Sequence, residues 1–142
     1  MAKKKRIRAI ALCLFRHQGR ILVSEGFDEV KRETFFRSLG GGIDFCETSR
    51  DAIVREIQEE LGAEISDVHL VGILESIFLY QGEPGHEIVF VYDARFVDAS
   101  LYDREKLTVQ EGKHQFTATW KSLEQMTGPG QQLVPEGLAA LL

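Results

Sequence analysis

Apolar residues run through the chain in short blocks, and their period changes once. RAIALCLFR, Arg8 to Arg16, is an apolar run bounded by arginines and predicts a strand. HQG, His17 to Gly19, reads as a turn and Arg20 to Ser24 as a second strand, together a hairpin. A charged loop, Asp28 to Thr34, leads to the apolar FFRSL and to three glycines, Gly40 to Gly42. From Thr48 the period becomes helical, with Ile53, Val54, Ile57 and Leu61 forming an apolar stripe. Thr48 with Asp51 matches a capping box, and Gly62 supplies the stop. Val68 to Tyr80 and Glu87 to Val97 are β-rich runs joined by QGEPGH, a Gly/Pro turn. Phe116 to Trp120 predicts a last strand, and Glu136 to Leu142 a C-terminal helix after Pro135. No repeat, low-complexity tract or linker intervenes, so residues 1–142 are expected to form one mixed α/β domain.

Composition narrows the function. Hydrophobic residues at 44% and charged residues at 27% over 142 residues suit a globular protein with a sizeable core. Seventeen basic against 22 acidic residues leave a net charge of −5, which argues against a general nucleic-acid or anionic-membrane binder. Lys3, Lys4, Lys5, Arg6 and Arg8 are a local exception, read as a solvated tail entering a strand and secondarily as an attractor for a polyanionic substrate. The apolar run Ala9 to Phe15 is too short for a secretion signal, and Arg16 ends it with no small-residue cleavage site. No segment approaches the ~20 apolar residues of a membrane span. Cys13 and Cys46 have neither metal-ligand spacing nor a disulfide pattern, which fits a cytoplasmic location. A homodimer is left open.

The helix carries the chemistry. Glu56, Glu59 and Glu60 share an arc of roughly 100°, and like charges at such spacings repel by a few tenths of a kcal/mol per pair. A glutamate pair on a helix is by itself a solvated face. Here, however, a glycine-rich turn runs straight into the helix, and glycines let backbone approach a ligand. Asp44 and Glu47 make the helix start a poor site for a bare phosphate, although its N–H groups are unpaired. Clustered carboxylates suit a hard cation: Mg²⁺ takes oxygen ligands and bridges to substrate phosphates. Such an ion would cancel the repulsion, polarise a phosphoryl group and acidify a bound water. The physical reading is a metal-assisted phosphoanhydride hydrolase.

Gly41 to Ala63, GGIDFCETSRDAIVREIQEELGA, resembles the Nudix box: a glycine, five residues, Glu, seven residues, then REUxEExGU with U aliphatic. Gly41, Glu47, Arg55, Glu56, Ile57, Glu59, Glu60 and Gly62 match at the required spacing, and Ala63 is a soft match at the end. The resemblance implies an α/β/α sandwich around a mixed sheet, with the box as loop–helix–loop. It implies hydrolysis of a nucleoside diphosphate linked to a moiety X, a small nucleotide substrate, with Mg²⁺ or Mn²⁺ as cofactor. Glu56, Glu59 and Glu60 would be the metal-ligand carboxylates, with Glu60 and the carbonyl of Gly40 or Gly41 close to the ion. Arg55 would orient the cluster through Glu47. Three positions depart from the usual pattern: Leu39 for proline, Asp44 for glutamate and Cys46 for glycine. None is a proposed ligand, and Cys46 reads as a small thiol in place of glycine rather than as a nucleophile.

Outside the box, the resemblance suggests a further catalytic glutamate ahead of a late strand, with Glu111 the first candidate and Glu105 the second. Each has an alternative reading as a solvated loop residue. Arg37, just before the glycines, could meet a substrate phosphate or simply face water. His86 and Glu87 read first as a turn edge. Tyr80 lies 17 residues past Ala63, where a tyrosine resembles a marker of dinucleoside polyphosphate hydrolases; edge packing is its plainer role. A nucleoside triphosphate is the other substrate considered. The rival to an enzyme is a non-catalytic Nudix-like nucleotide sensor, set against by the intact box and the lack of room for a DNA-binding segment. An isopentenyl diphosphate isomerase would need a catalytic cysteine in its own motif, which is not found.

Overall fold

The computed structural model describes residues 5–142, so Lys3 and Lys4 of the basic run lie outside the described residues. Among the described residues nine strands form: β1 (Arg8–Leu14), β2 (Arg16–His17), β3 (Arg20–Asp28), β4 (Glu33–Gly42), β5 (Ile65–Tyr80), β6 (Glu83–Phe96), β7 (Lys106–Glu111), β8 (His114–Lys121) and β9 (Gln131–Val134). Helix α1 spans Ser49–Leu61 and the short α2 Leu123–Met126, with 3₁₀ turns at Ala99–Asp103 and Leu138–Leu141. The strand order is β5-β6-β1-β4-β3-β8-β7, with β2 on β3 and β9 on β4. β1 runs parallel to β6 and antiparallel to β4, which makes the sheet mixed, as expected.

Two apolar layers sandwich this sheet. On one side Ala52, Ile53 and Ile57 of α1 pack on Ala11, Cys13, Leu22 and Leu39. On the other, Ile10, Leu12, Val89 and Val91 lie under Met126, Leu133 and Leu138. The expected C-terminal helix is only the 3₁₀ turn Leu138–Leu141, which buries Leu138. The second helical layer is therefore thin, and β9 and two short turns do the covering. Neither β7 nor β9 was anticipated, because each offers only two buried positions or fewer to an alternating pattern.

Three local expectations are corrected. The stripe on α1 omits Val54, which faces solvent, because the helix is rotated to bury Ala52, Ile53, Ile57 and Glu60 instead. The glycines Gly40, Gly41 and Gly42 are the end of β4, paired with Leu12, Ala11 and Ile10, rather than a turn. The QGEPGH turn is confined to Gln81 and Gly82, whose φ values of 51° and 81° suit a two-residue hairpin turn. EPGH belongs to β6, and Pro84 is tolerated there because β1 pairs only from Glu87 onward, leaving this end of β6 a free edge.

Candidate active site

The box folds as strand end, loop and helix. Thr48 Oγ1 accepts the Asp51 amide at 3.0 Å, which caps α1. Among the described residues the return bond from Asp51 is not made, so half the expected capping box forms; aspartate is one methylene short of the usual partner. Gly62 ends the helix in the left-handed region, φ 63°, and its amide donates to the Gln58 carbonyl.

Arg55 is the hub. Its Nε and Nη2 donate to the two carboxylate oxygens of Glu47 at 2.8 and 2.9 Å, the bidentate geometry that only a guanidinium offers. Nη2 also donates to the Gly42 carbonyl at 2.9 Å, and Nη1 reaches Glu56 at 3.0 Å and Glu59 at 3.3 Å. The hydrogen bonds from Arg55, then the Asp44 amide, hold the Glu47 carboxyl down at about 2. Glu47 in turn raises the affinity of Arg55 for its proton. The carboxylate crowding on α1 is thus already partly offset by one cation.

Glu60 is different. It is 6% exposed, and among the described residues its Oε1 has no hydrogen-bond partner. Burial, chiefly, and the charges of Glu56 and Glu111 push its pKa up to about 8, against the pull of Arg37 and the Gly40 amide. Glu56 is also raised, by burial first, with Arg55 opposing and Glu59 and Glu111 adding to the shift. Glu59 is exposed and joins the group through Arg55. Glu111, the last residue of β7, lies close enough for its charge to act on both Glu56 and Glu60. Glu105 stands at the other end of β7, in a separate hollow with Arg20 and Trp120.

The glycines press the backbone against this group. A Cβ on Gly41 would stand 2.6 Å from the Glu56 carboxyl carbon, and one on Gly40, φ 146°, would meet the Ala11 carbonyl oxygen at 2.0 Å. Cys46 takes φ 67°, the left-handed conformation that explains why glycine is the usual residue there. Its thiol is exposed, and Cys13 is buried; neither is in a disulfide.

A cavity of about 770 Å³ also opens, and Glu56, Glu59, Glu60 and Glu111 are not among the residues that line it. Arg37 lines it while lying near Glu60, and so links cavity and cluster. Tyr80 lines it as well, edge-on to Phe35 with ring centroids 5.6 Å apart. Arg8, the exposed first residue of β1 where the tail enters the strand, also lines the cavity and lies 3.7 Å from Glu87. His86 pairs with Ile77 in the β5–β6 ladder. Phe35 and Lys31 are cavity residues that sequence reasoning missed, since nothing local marks them as facing a cavity.

Among the described residues no three Asp, Glu, His or Cys side chains are gathered tightly enough to enclose an ion by themselves. The donor set nonetheless fits a hard divalent cation: all its atoms are oxygens, one is buried and unpartnered among the described residues, and the Gly41 backbone lies against Glu56.

A mixed sheet bearing a capped, carboxylate-lined helix against a glycine strand end defines an α/β pyrophosphohydrolase. The chain belongs to the NUDIX family: the NUDIX domain model matches residues 4–139. Among solved structures it resembles a MutT NUDIX hydrolase from Burkholderia pseudomallei, at 22% identity and a TM-score of 0.65, covering 96% of this chain and 97% of that one. The E. coli ORF135 protein follows at 23% identity and a TM-score of 0.57, covering 96% and 87%. An ADP-ribose pyrophosphatase from Streptococcus suis 89-1591 shares 14% identity at a TM-score of 0.57, covering 89% and 79%. These likenesses concern the fold. No curated protein matches the chain by sequence. No helix among the described residues is long and apolar enough to cross a membrane.

Proposed function

We propose that this chain is a divalent-metal-dependent hydrolase that cleaves a phosphoanhydride bond in a nucleoside diphosphate linked to a moiety X. The observation that carries the reading is Glu60: a buried carboxylate with an unpartnered oxygen, set beside Glu56 and Glu111. Burying such a group without a partner is costly unless a ligand satisfies it. Glu56, Glu59, Glu60 and the Gly41 carbonyl would hold Mg²⁺ or Mn²⁺, which supplies charge neutralisation at the phosphate oxygens and a more acidic water.

The chain's own groups do the rest. Arg55, fixed by Glu47 and the Gly42 carbonyl, holds Glu56 and Glu59 in place. Arg37 meets a substrate phosphate at the cavity mouth. Glu111 makes no ion pair or side-chain hydrogen bond among the described residues, so its carboxylate is available to take the proton of the attacking water. As the new P–O bond forms, the bridging P–O bond breaks, and X leaves with its phosphate. Tyr80 and Phe35 offer aromatic faces to a nucleobase, and the cavity has room for a dinucleoside polyphosphate or a nucleoside triphosphate. The two free thiols fit a reducing cytoplasm. A homodimer is part of the reading, supported by exposed Ile73, Ile77 and Leu79 on the outer strand β5, and light scattering tests it.

The decisive experiment is a hydrolysis screen with Mg²⁺ or Mn²⁺ over nucleoside triphosphates, nucleotide sugars, dinucleotides and dinucleoside polyphosphates. Turnover that vanishes in chelator is expected. Tight binding of one compound with no turnover of any would identify a sensor instead.

A further inference from the structure

The tip of the β5–β6 hairpin and the β3–β4 turn are far apart in sequence, yet they are fastened together. Asp28 is 3% exposed, and its Oδ1 accepts the amides of Val30 at 2.9 Å and Lys31 at 3.0 Å. Its Oδ2 accepts the Gln81 amide at 3.1 Å, across to the hairpin. Gln81 answers with its side chain: Oε1 accepts the Glu29 amide at 3.0 Å, and Nε2 donates to the Phe27 carbonyl at 3.4 Å. Both halves of this junction line the cavity, through Asp28 and Lys31 on one side and Phe78 and Tyr80 on the other.

Two aromatic rings of this wall pack directly on glycine backbone. The Phe35 ring lies on the bare backbone of Gly26, where a Cβ would come within 2.3 Å of it. The Phe78 ring lies on Gly85 in the same way, at 2.4 Å. Phe35 then braces Tyr80 edge-on. Asp28 pairs with Glu33 in the β3–β4 ladder, four residues up β4 from Arg37. At the rise of a strand that is about 13 Å, and Arg37 itself adjoins Glu60. A substrate whose scissile phosphate sits at the carboxylates must fit the rest of its length before this wall.

We infer that the Asp28–Gln81 junction fixes the depth of the cavity, and that these two are specificity-determining positioning residues selecting substrates by the length of X. The inference rests on the hydrolase reading above, which places X in the cavity. Neither side chain takes part in the chemistry; both act through the wall they hold.

Two variants test it. Asp28→Asn keeps an oxygen for Val30 and Lys31 but turns an NH₂ toward the Gln81 amide, so one of the three crossing bonds is lost and the two from the Gln81 side chain remain. Gln81→Ala removes the two side-chain bonds, and carries the test if Asp28→Asn fails to fold. Kinetics are measured on a nucleoside triphosphate, a nucleotide sugar and dinucleoside polyphosphates of increasing phosphate-chain length. For the substrate the parent prefers, KM should rise about tenfold with a much smaller change in kcat, since positioning rather than chemistry is lost. Preference over the next longer compound should fall by about tenfold. An unchanged length profile in the folded variants overturns the inference. If the parent turns over none of the panel, the hydrolase reading fails separately, and calorimetric binding of the same compounds decides. A length-dependent affinity that shifts in the variants then upholds the junction's role; an unchanged profile, or no binding to the parent, overturns it.

Discussion

At the scale of single residues, three glutamates one turn apart have three different environments. Glu59 is exposed and shares Arg55, Glu56 is held by Arg55 against Gly41, and Glu60 is buried with an oxygen unpaired. Glu60→Gln should therefore lower turnover about 1,000-fold and stabilise the metal-free protein at alkaline pH, whereas Glu59→Gln should cost it up to about 1 kcal/mol, the worth of an exposed ion pair. The pH dependence follows in sign. With Glu60 raised from 4.5 to about 8, the folded state keeps a proton that the unfolded state has lost, so metal-free stability falls as pH climbs through that window. Glu47 acts oppositely: held at about 2, it contributes stability above 4.5 that is lost as pH falls toward 2. Thermal melts across pH on parent and Glu60→Gln check both, since the variant should lose the decline between 4.5 and about 8 and keep the one toward 2. Cys46, at φ 67°, pays a conformational penalty that glycine would not. Cys46→Gly should raise stability by about 1 kcal/mol in urea unfolding and leave turnover near the parent's.

At the scale of elements, the end of β4 and the helix α1 are matched by what glycine leaves out. The two adjacent glycines should respond differently to the same substitution. Gly40→Ala forces a Cβ onto a backbone oxygen in a conformation that disfavours side chains, and should cost about 3 kcal/mol or more. Gly41→Ala meets only the end of a flexible side chain, Glu56, which can swing away. It should stay within about 1 kcal/mol of the parent while losing about 100-fold in turnover, because a 1 Å shift at the chemistry is that costly. Denaturant melts and steady-state rates on the two variants separate the outcomes. If both properties changed together at Gly41, the glycine would be needed for folding and not for placing Glu56.

At the scale of the whole molecule, a chain of net charge −5 lines one cavity with Arg8, Lys31 and Arg37 alongside Asp28, Glu33, Glu87 and Glu136. The lining has no positive excess, so a polyanion is drawn there by the placement of single cations, Arg37 near Glu60 above all, and not by a basic field. KM should rise several-fold between about 50 and 500 mM salt, as screening shortens to a few ångströms. Arg8→Ala should raise KM at low salt, flatten that dependence and leave kcat little changed. A salt dependence as steep in Arg8→Ala as in the parent would place the substrate elsewhere.

The amino-acid sequence by itself determined the helix, its ends and the identity of its carboxylates, because period, caps and the spacing of the Nudix box are local signals. It also determined the mixed α/β class, since strand-like and helix-like periods are both plain in it. Only the tertiary structure decided that Glu60, and not Val54, faces inward, for the rotation of α1 is set by how Ala52, Ile53 and Ile57 seat on Ala11 and Leu39. It alone brought Glu111, the end of a strand no local pattern announced, against Glu56 and Glu60. The cavity likewise exists only because two long strands carry Gln81 back to Asp28. Contacts of that range depend on strand order, register and twist, which no short window of residues encodes.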